Sequence, residues 1–315
     1  MSRTAGHHVR VRAAPAVARW CPVRFAAAVC ALLACCGSLL AAQTFRSGVL
    51  TVPVTVTVVD ANGRLITGLT QQDFEVFEDG SPQRITTFTN ERVAVSLGVL
   101  LDASDSMRGQ PIVDAGLAVE RFVGDLLRAE DEAFIGLFNH RPRLASAWTR
   151  PPSTLRSVLG DVQPTGGTAI YDAVVQSAEM FDRRTKPRAA LVVISDGADT
   201  ASDRSLQQAR EAVVRRDAFV YAVAIDAPGA LASTRVNPAA LQDLTGPTGG
   251  YTEVVHGAAE LGPATERIAN ELNSQYTIGY VPERAPDGSW RTIRVRVRGR
   301  QLVVRARQGY VAARR

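Results

Sequence analysis

The stretch VSLGVLLDASDS, residues 95–106, organises the rest of this sequence. Its first seven residues are mostly apolar, which predicts a buried central strand of a parallel sheet. The strand leads directly into Asp102, Ser104 and Ser106. In open α/β sheets ligands bind at the carboxyl ends of strands, and a carboxylate with two hydroxyls offers the hard oxygen atoms that Mg²⁺, Mn²⁺ or Ca²⁺ prefer. A turn followed by a helix N-cap uses the same residue types, so this stretch alone leaves both interpretations open.

The composition is typical of a globular protein, with 46% apolar and 21% charged residues over 315 positions, and it excludes global disorder. Residues 1–42 contain five arginines and no acidic residue. Removing those five from the 36 basic residues leaves 31, which equals the 31 acidic residues. The net charge of +5 therefore comes from the first segment, and no basic domain remains that would indicate nucleic-acid binding.

That first segment has the form of a targeting signal. Arginines precede an apolar run at residues 25–34 and small residues near 38–42, which predicts a signal peptide over residues 1–42. The letters LLAC, ending at Cys35, also resemble a lipoprotein box, and residues 24–42 are barely long enough for an uncleaved membrane anchor. We therefore expect an exported protein that is periplasmic, cell-surface or secreted. Apart from the anchor alternative, membrane contact is expected only if Cys35 carries a lipid.

Strands and helices alternate between residues 93 and 273. Apolar strands are predicted at 93–101, 133–138, 189–195, 219–225 and 250–255. Helices are predicted at 111–127, 153–162, 169–181, 238–245 and 258–273, together with one that Asp203 caps and that runs to Arg216. This alternation predicts an α/β fold, namely a doubly wound, mostly parallel sheet with helices on both faces.

The segments on either side of this region alternate with period two. Strands are predicted at 52–60, 74–78 and 83–89, and again at 276–280, 290–297 and 302–307, with tight turns at Asn62-Gly63 and Asp79-Gly80. The N-terminal unit is too small to bury a robust core alone. We therefore expect it to pair with the C-terminal strands as a small β-sandwich-like domain. The predicted boundaries are 1–42 for the signal peptide, 43–91 and 274–315 for the β segments, and 92–273 for the inserted α/β domain.

Two further loops complete a candidate site. Gly166-Gly167 permits a tight turn that presents Thr168, and Asp196 directly follows the apolar strand at 189–195. A D-x-S-x-S loop, a distant Thr and a distant Asp, in this order of strands and helices, resemble the von Willebrand factor type A (VWA) domain. The resemblance implies a Rossmann-like fold and a metal-ion-dependent adhesion site. Its metal ligands here would be Asp102, Ser104, Ser106, Thr168 and Asp196.

The same resemblance implies a function in adhesion or protein binding. The site would hold Mg²⁺, or else Mn²⁺ or Ca²⁺, and an Asp or Glu side chain of a partner protein would complete the coordination sphere. The segments GYVP at 279–282 and RQGY at 307–310 are similar to motifs in a group of secreted bacterial proteins that carry this domain.

Signals of the common enzyme classes are missing from the sequence. All four cysteines lie within residues 1–42, so after signal removal no thiol remains for a disulfide, a nucleophile or zinc. The G-x-S-x-G, H-E-x-x-H and phosphate-loop motifs do not occur, and neither His140 nor His256 adjoins a nucleophile. We expect no enzymatic activity. A metal-dependent hydrolase on the same loops and an envelope component in which the metal only stabilises the fold remain alternatives.

Overall fold

The computed structural model describes residues 51–159, 162–226 and 236–313. The predicted signal peptide lies outside these residues. The described strands are β1 (Val52–Val59), β2 (Phe74–Glu78), β3 (Ser81–Gln83), β4 (Ile85–Thr89), β5 (Val95–Asp102), β6 (Glu132–Phe138), β7 (Arg143–Leu144), β8 (Arg188–Ser195), β9 (Ala218–Ile225), β10 (Thr252–Val255), β11 (Tyr276–Tyr280), β12 (Trp290–Val297), β13 (Val303–Ala306) and β14 (Gly309–Val311). The described α-helices are α1 (Gln110–Arg121), α2 (Ile170–Met180), α3 (Leu206–Val214), α4 (Pro238–Thr245) and α5 (Ala258–Asn273).

Six strands form the central sheet in the order β10-β9-β8-β5-β6-β7. Neighbouring strands run parallel except at the short edge strand β7. Every residue of β5 and β8 is buried, because helices cover both faces of the sheet. Helices α1 and α5 pack on one face, and α2, α3 and α4 pack on the other. The predicted doubly wound α/β class is confirmed.

Strands from the two ends of the described chain pair with each other. They form two four-stranded sheets, in the orders β13-β1-β11-β4 and β14-β12-β2-β3, and their inner faces share one apolar core. This is the predicted β-sandwich-like arrangement. One detail differs, because the segment expected as a single strand at 83–89 is divided. Its beginning pairs with β2, whereas Ile85–Thr89 pairs with β11 in the other sheet.

A buried carboxylate explains the two tyrosines in the C-terminal motifs. Glu78, at the end of β2, accepts hydrogen bonds from the hydroxyls of Tyr280 at 2.7 Å and Tyr310 at 2.9 Å. The guanidinium of Arg291 lies 3.1 Å from its other oxygen. Burying this charge is tolerated because it is both paired and hydrogen-bonded. The cluster therefore ties β2, β11, β12 and β14 together.

A second buried cluster joins the β strands to the α/β sheet. Glu271, on α5, accepts hydrogen bonds from the hydroxyls of Thr57 and Tyr221, each at 3.0 Å. Arg305 on β13 forms an ion pair with the same carboxylate. One carboxylate thus connects α5, β1, β9 and β13.

Three helices differ from the sequence-based expectation. The segment expected as a helix over 153–162 forms a 3₁₀ helix at Pro152–Leu159. Helix α3 is capped by Ser205, whose hydroxyl accepts the backbone N–H of Gln208, so the expected cap at Asp203 was wrong. The helix expected over 111–127 changes at Phe122 into a π-helical turn that ends at Leu126. Within the described residues, none of the helices combines the length and apolarity needed to cross a bilayer.

Two glycine-to-alanine substitutions should act in opposite directions. A Cβ on Gly116, inside α1, would meet nothing within 4 Å, whereas a Cβ on Gly98 in β5 would lie 2.5 Å from a ring carbon of Phe134. Gly116→Ala should raise the free energy of unfolding by about 0.5–1 kcal/mol, since glycine is entropically unfavourable in a helix. Gly98→Ala should lower it by about 1–3 kcal/mol through overpacking. Urea unfolding of both variants measures these changes, and a destabilised Gly116→Ala would contradict the open surroundings of that position.

Candidate functional site

The candidate site lies at the carboxyl edge of the central sheet, where β5 and β8 lie side by side. Within the sheet, the next strand in the chain, β6, lies on one side of β5, and the following parallel strand, β8, lies on the other side of β5. This reversal is the topological switch point at which doubly wound sheets bind their ligands. The two adjacent strand ends bring Asp102 and Asp196 to the same place.

Asp102 is fully buried. One carboxylate oxygen accepts the backbone N–H of Ser104 at 2.8 Å, and the other accepts the hydroxyl of Ser195 at 2.5 Å. Burial, together with the nearby charge of Asp196, raises the pKa of Asp102 to about 6 in spite of the lowering effect of these hydrogen bonds. The carboxylate is therefore held rigidly where its negative charge is poorly solvated.

A line of hydroxyls connects the first loop to the second carboxylate. The Oγ atoms of Ser104 and Ser106 lie 3.0 Å apart, and Ser106 donates a hydrogen bond to Asp196 at 2.7 Å. Ser104 and Asp196 are buried, but Ser106 is exposed. Burial also raises the pKa of Asp196 above its ordinary value. The polar line thus reaches from the protein interior to solvent.

Thr168 joins the group through its loop. Gly166, with φ of 76°, turns that loop and accepts the backbone N–H of Asp105 at 2.9 Å, while the N–H of Thr165 bonds to Ala103 at 2.9 Å. Thr168 is buried. No hydrogen bond links its hydroxyl to the side chains of the other four predicted ligands. The structure therefore brings four of the predicted site residues into one hydrogen-bonded group and places the fifth on a loop that is bonded to theirs.

Other acidic residues near these loops have different partners. Asp105 forms an exposed ion pair with Arg108 at 2.6 Å. Asp199 accepts the backbone N–H of Tyr171 at 3.1 Å, and Asp172 accepts the backbone N–H groups of residues 203 and 204 at 3.0 and 2.8 Å. Asp199 and Asp172 thus fasten the loop after β8 to the beginning of α2. Asp199 is partly buried, so its role is more structural than that of a solvent-exposed loop residue.

Two residues close to the site were not recognised from the sequence. Ser195 is the last residue of β8, and its hydroxyl bonds to Asp102 and accepts the N–H of Gly197 at 3.2 Å. The sequence did contain a signal for Ser195, because it is a hydroxyl residue at the end of an otherwise apolar strand. His140 packs against Gly166, where a Cβ would lie 2.2 Å from its Nδ1 atom. A side chain at position 166 would therefore displace the histidine.

The residues present suit a hard divalent cation. Two carboxylates and the neighbouring hydroxyls supply only oxygen atoms, and within the described ranges neither carboxylate has a basic partner. A buried charge ordinarily has a partner or binds a metal, so a cation would compensate the pair. The described part of the chain contains no cluster of three or more His, Cys, Asp or Glu side chains. Any metal here would thus depend on hydroxyl as well as carboxylate ligands.

The stability difference between the Asp102→Asn variant and the wild type should depend on pH when EDTA keeps both proteins free of metal. The folded pKa of about 6 exceeds the ordinary value of 3.8, so the wild-type carboxyl favours folding below pH 4 and loses that contribution as pH rises through 6. The variant should therefore gain on the order of 2–3 kcal/mol relative to wild type between pH 4 and pH 7.

Urea unfolding at both pH values measures this gain. The control is Asp105→Asn, which alters an exposed aspartate of the same loop and should show no such increase. A pH-independent difference between Asp102→Asn and wild type would contradict the assigned burial cost.

Comparison with known proteins identifies the domain that carries this site. The family model described as von Willebrand factor type A domain matches residues 97–198, which include all five predicted ligands. Inter-alpha-trypsin inhibitor heavy chain H4 from Homo sapiens is 25% identical over 245 residues, or 71% of this chain. The chain spans about a quarter of the length of that relative, because the match covers 25% of it.

A solved structure shares the fold. The structure described as von Willebrand factor type A from Catenulispora acidiphila has a TM-score of 0.52 and 11% identity, and the match covers 84% of this chain and 74% of that chain. The BatB protein from Bacteroides thetaiotaomicron has a TM-score of 0.47 and 18% identity, with 56% and 98% of the two chains covered. The family-model match over residues 97–198 and the arrangement of strands agree, and this chain contains a von Willebrand factor type A domain.

Proposed function

We propose that this chain is an exported protein-interaction module that binds a carboxylate of a partner protein through a divalent metal, Mg²⁺ or else Mn²⁺ or Ca²⁺. The metal would be held by Asp102, Ser104, Ser106, Thr168 and Asp196. The observation that carries the proposal is the pair of buried carboxylates at the switch point of the sheet, for which the described residues provide no basic partner. The exported location rests on the predicted signal peptide over residues 1–42.

The residues of the site would have different roles in binding. A bound divalent metal supplies an electrophilic position that an oxygen ligand from outside can fill. Ser195 and the backbone of Ser104 orient the carboxylate of Asp102, and the exposed Ser106 marks the side that faces solvent. The five proposed ligands would leave Mg²⁺ one short of the six oxygen atoms it prefers, so one position would stay open to an oxygen atom from outside. An Asp or Glu side chain of a partner meets that requirement.

Divalent cations should stabilise the wild-type protein and not the variant Asp102→Ala. A ligand that binds only the folded state at 100 times its Kd adds about 2.7 kcal/mol to the free energy of unfolding. Mg²⁺ or Mn²⁺ should therefore raise the Tm by several degrees, which thermal unfolding with and without EDTA measures. Asp105→Ala is the matched control, because this aspartate lies in the same loop but pairs with Arg108, and it should respond as wild type does. Equal responses of the three proteins would contradict the metal site.

Partner binding should require the same metal. The immobilised full chain should capture proteins from an envelope extract in Mg²⁺ and release them in EDTA. Asp102→Ala should lose this capture, and Asp105→Ala should keep it. A metal that stabilises the fold without any metal-dependent capture would favour the structural alternative. Turnover of phosphate or ester substrates that requires Mg²⁺ and Asp196 would favour the hydrolase.

A further inference from the structure

Helix α1 carries apolar side chains on two faces. Ala115 and Val119 are fully buried against the sheet, whereas Val113 and Leu117 are 52% and 59% exposed. The latter two are the most exposed large apolar side chains in the described part of the chain. They are four residues apart and therefore adjacent on one helical face. A surface helix normally has polar residues on its solvent-facing side, so this second apolar stripe is unusual.

The stripe forms one wall of a groove of about 410 Å³. Apolar side chains line both walls, from α1 on one side and from the segment that follows β7 on the other: Ile112, Val113, Leu117, Leu159, Val162 and Pro164. Gly116 also lines the groove, and a Cβ at this position would meet nothing within 4 Å. The groove is therefore open to an incoming side chain.

The groove borders the two loops that carry the proposed metal ligands. Arg108, at one end, follows Ser106 by two residues, and Pro164 precedes Thr165, whose N–H bonds to Ala103. The two loops that carry the proposed ligands thus also line the groove. Helix α1 begins at Gln110 and rises about 1.5 Å per residue, so its exposed stripe starts close to the site and leads away from it.

The two ends of the groove carry opposite charges. The Arg108 side chain at the end near the site is 67% exposed despite its ion pair with Asp105, and such exposed pairs contribute little. Glu120, three residues beyond Leu117, lines the other end. A partner segment with its acidic residue near Arg108 and a basic residue near Glu120 would match both ends.

We propose that this groove holds an aliphatic side chain of the same partner segment whose carboxylate binds the metal. The proposal rests on the proposed function and adds the class of partner, namely an extended peptide segment with an acidic and an aliphatic residue. Leu117 lies seven residues, or about 10 Å at 1.5 Å per residue, along α1 from Gln110. An extended chain advances about 3.3 Å per residue, so the two residues should be about three to five positions apart. The aliphatic contact would supply affinity that a single carboxylate lacks.

A library of random twelve-residue peptides displayed on phage tests this proposal. The immobilised full chain is incubated with the library in Mg²⁺, and bound phage are eluted with EDTA. The expected peptides combine an acidic residue with Leu, Ile, Val or Met three to five positions away. For a synthetic peptide of that type, replacement of the aliphatic residue by alanine should weaken binding about tenfold. Replacement of the acidic residue by its amide should abolish the dependence on Mg²⁺.

Three variants separate the groove from the metal site. Leu117→Asp places a charge in the groove, and Gly116→Leu fills it. Each should weaken binding of the selected peptide about tenfold, while Mg²⁺ should still raise the Tm of both variants. Leu144→Asp makes the same change at an exposed leucine on β7 and should bind as wild type does. Peptides that share only an acidic residue, or that bind the groove variants unchanged, would overturn the groove and leave the proposed function intact. Absence of any EDTA-eluted peptide, together with no effect of Mg²⁺ on Tm, would overturn both.

Discussion

The burial of Asp102 and Asp196 beside each other is the constraint on which this structure depends. Carboxylates lose much of their hydration when buried, and in the described part of the chain neither has a basic partner. Parallel pairing of β5 with β8 forces the two strand ends together, and the hydroxyls of Ser106 and Ser195 offset part of the cost. Hydrogen bonds from neutral groups cannot neutralise charge. The fold therefore maintains an arrangement that a cation would complete.

Elsewhere the chain compensates its buried acids internally. Glu78 pairs with Arg291, Asp131 with Arg92 and Glu271 with Arg305. Glu132 accepts three hydrogen bonds instead, from Ser96 and from the backbone and hydroxyl of Thr185. These acids tie segments together, as Glu271 does between the α/β sheet and the β strands. The contrast sets Asp102 and Asp196 apart, because arginines pair with three other buried acids, whereas no arginine of the described ranges pairs with these two.

Much of this arrangement could be predicted from sequence because it follows from periodicity. The apolar strands specify the parallel sheet, and residues that directly follow such strands fall at its carboxyl edge. Contacts between distant segments could not be read in this way. No local pattern shows that Glu78 receives both Tyr280 and Tyr310, or that Ser195 faces Asp102. The expected cap at Asp203 failed for a related reason, since Ser205 forms a capping box with Gln208 and two backbone N–H groups of the preceding loop bond to Asp172.

The nearby acids that do not face the site also bear on its function. Asp105 is engaged by Arg108, and Asp172 and Asp199 are engaged by backbone N–H groups. Each would have to give up these contacts before it could approach the loops of Ser106 and Thr168. A cation held there would thus find two carboxylates and neutral hydroxyls within the chain, and hard divalent cations favour additional oxygen ligands. Water or a carboxylate from another molecule is what remains to supply them, which makes the site suited to binding a partner.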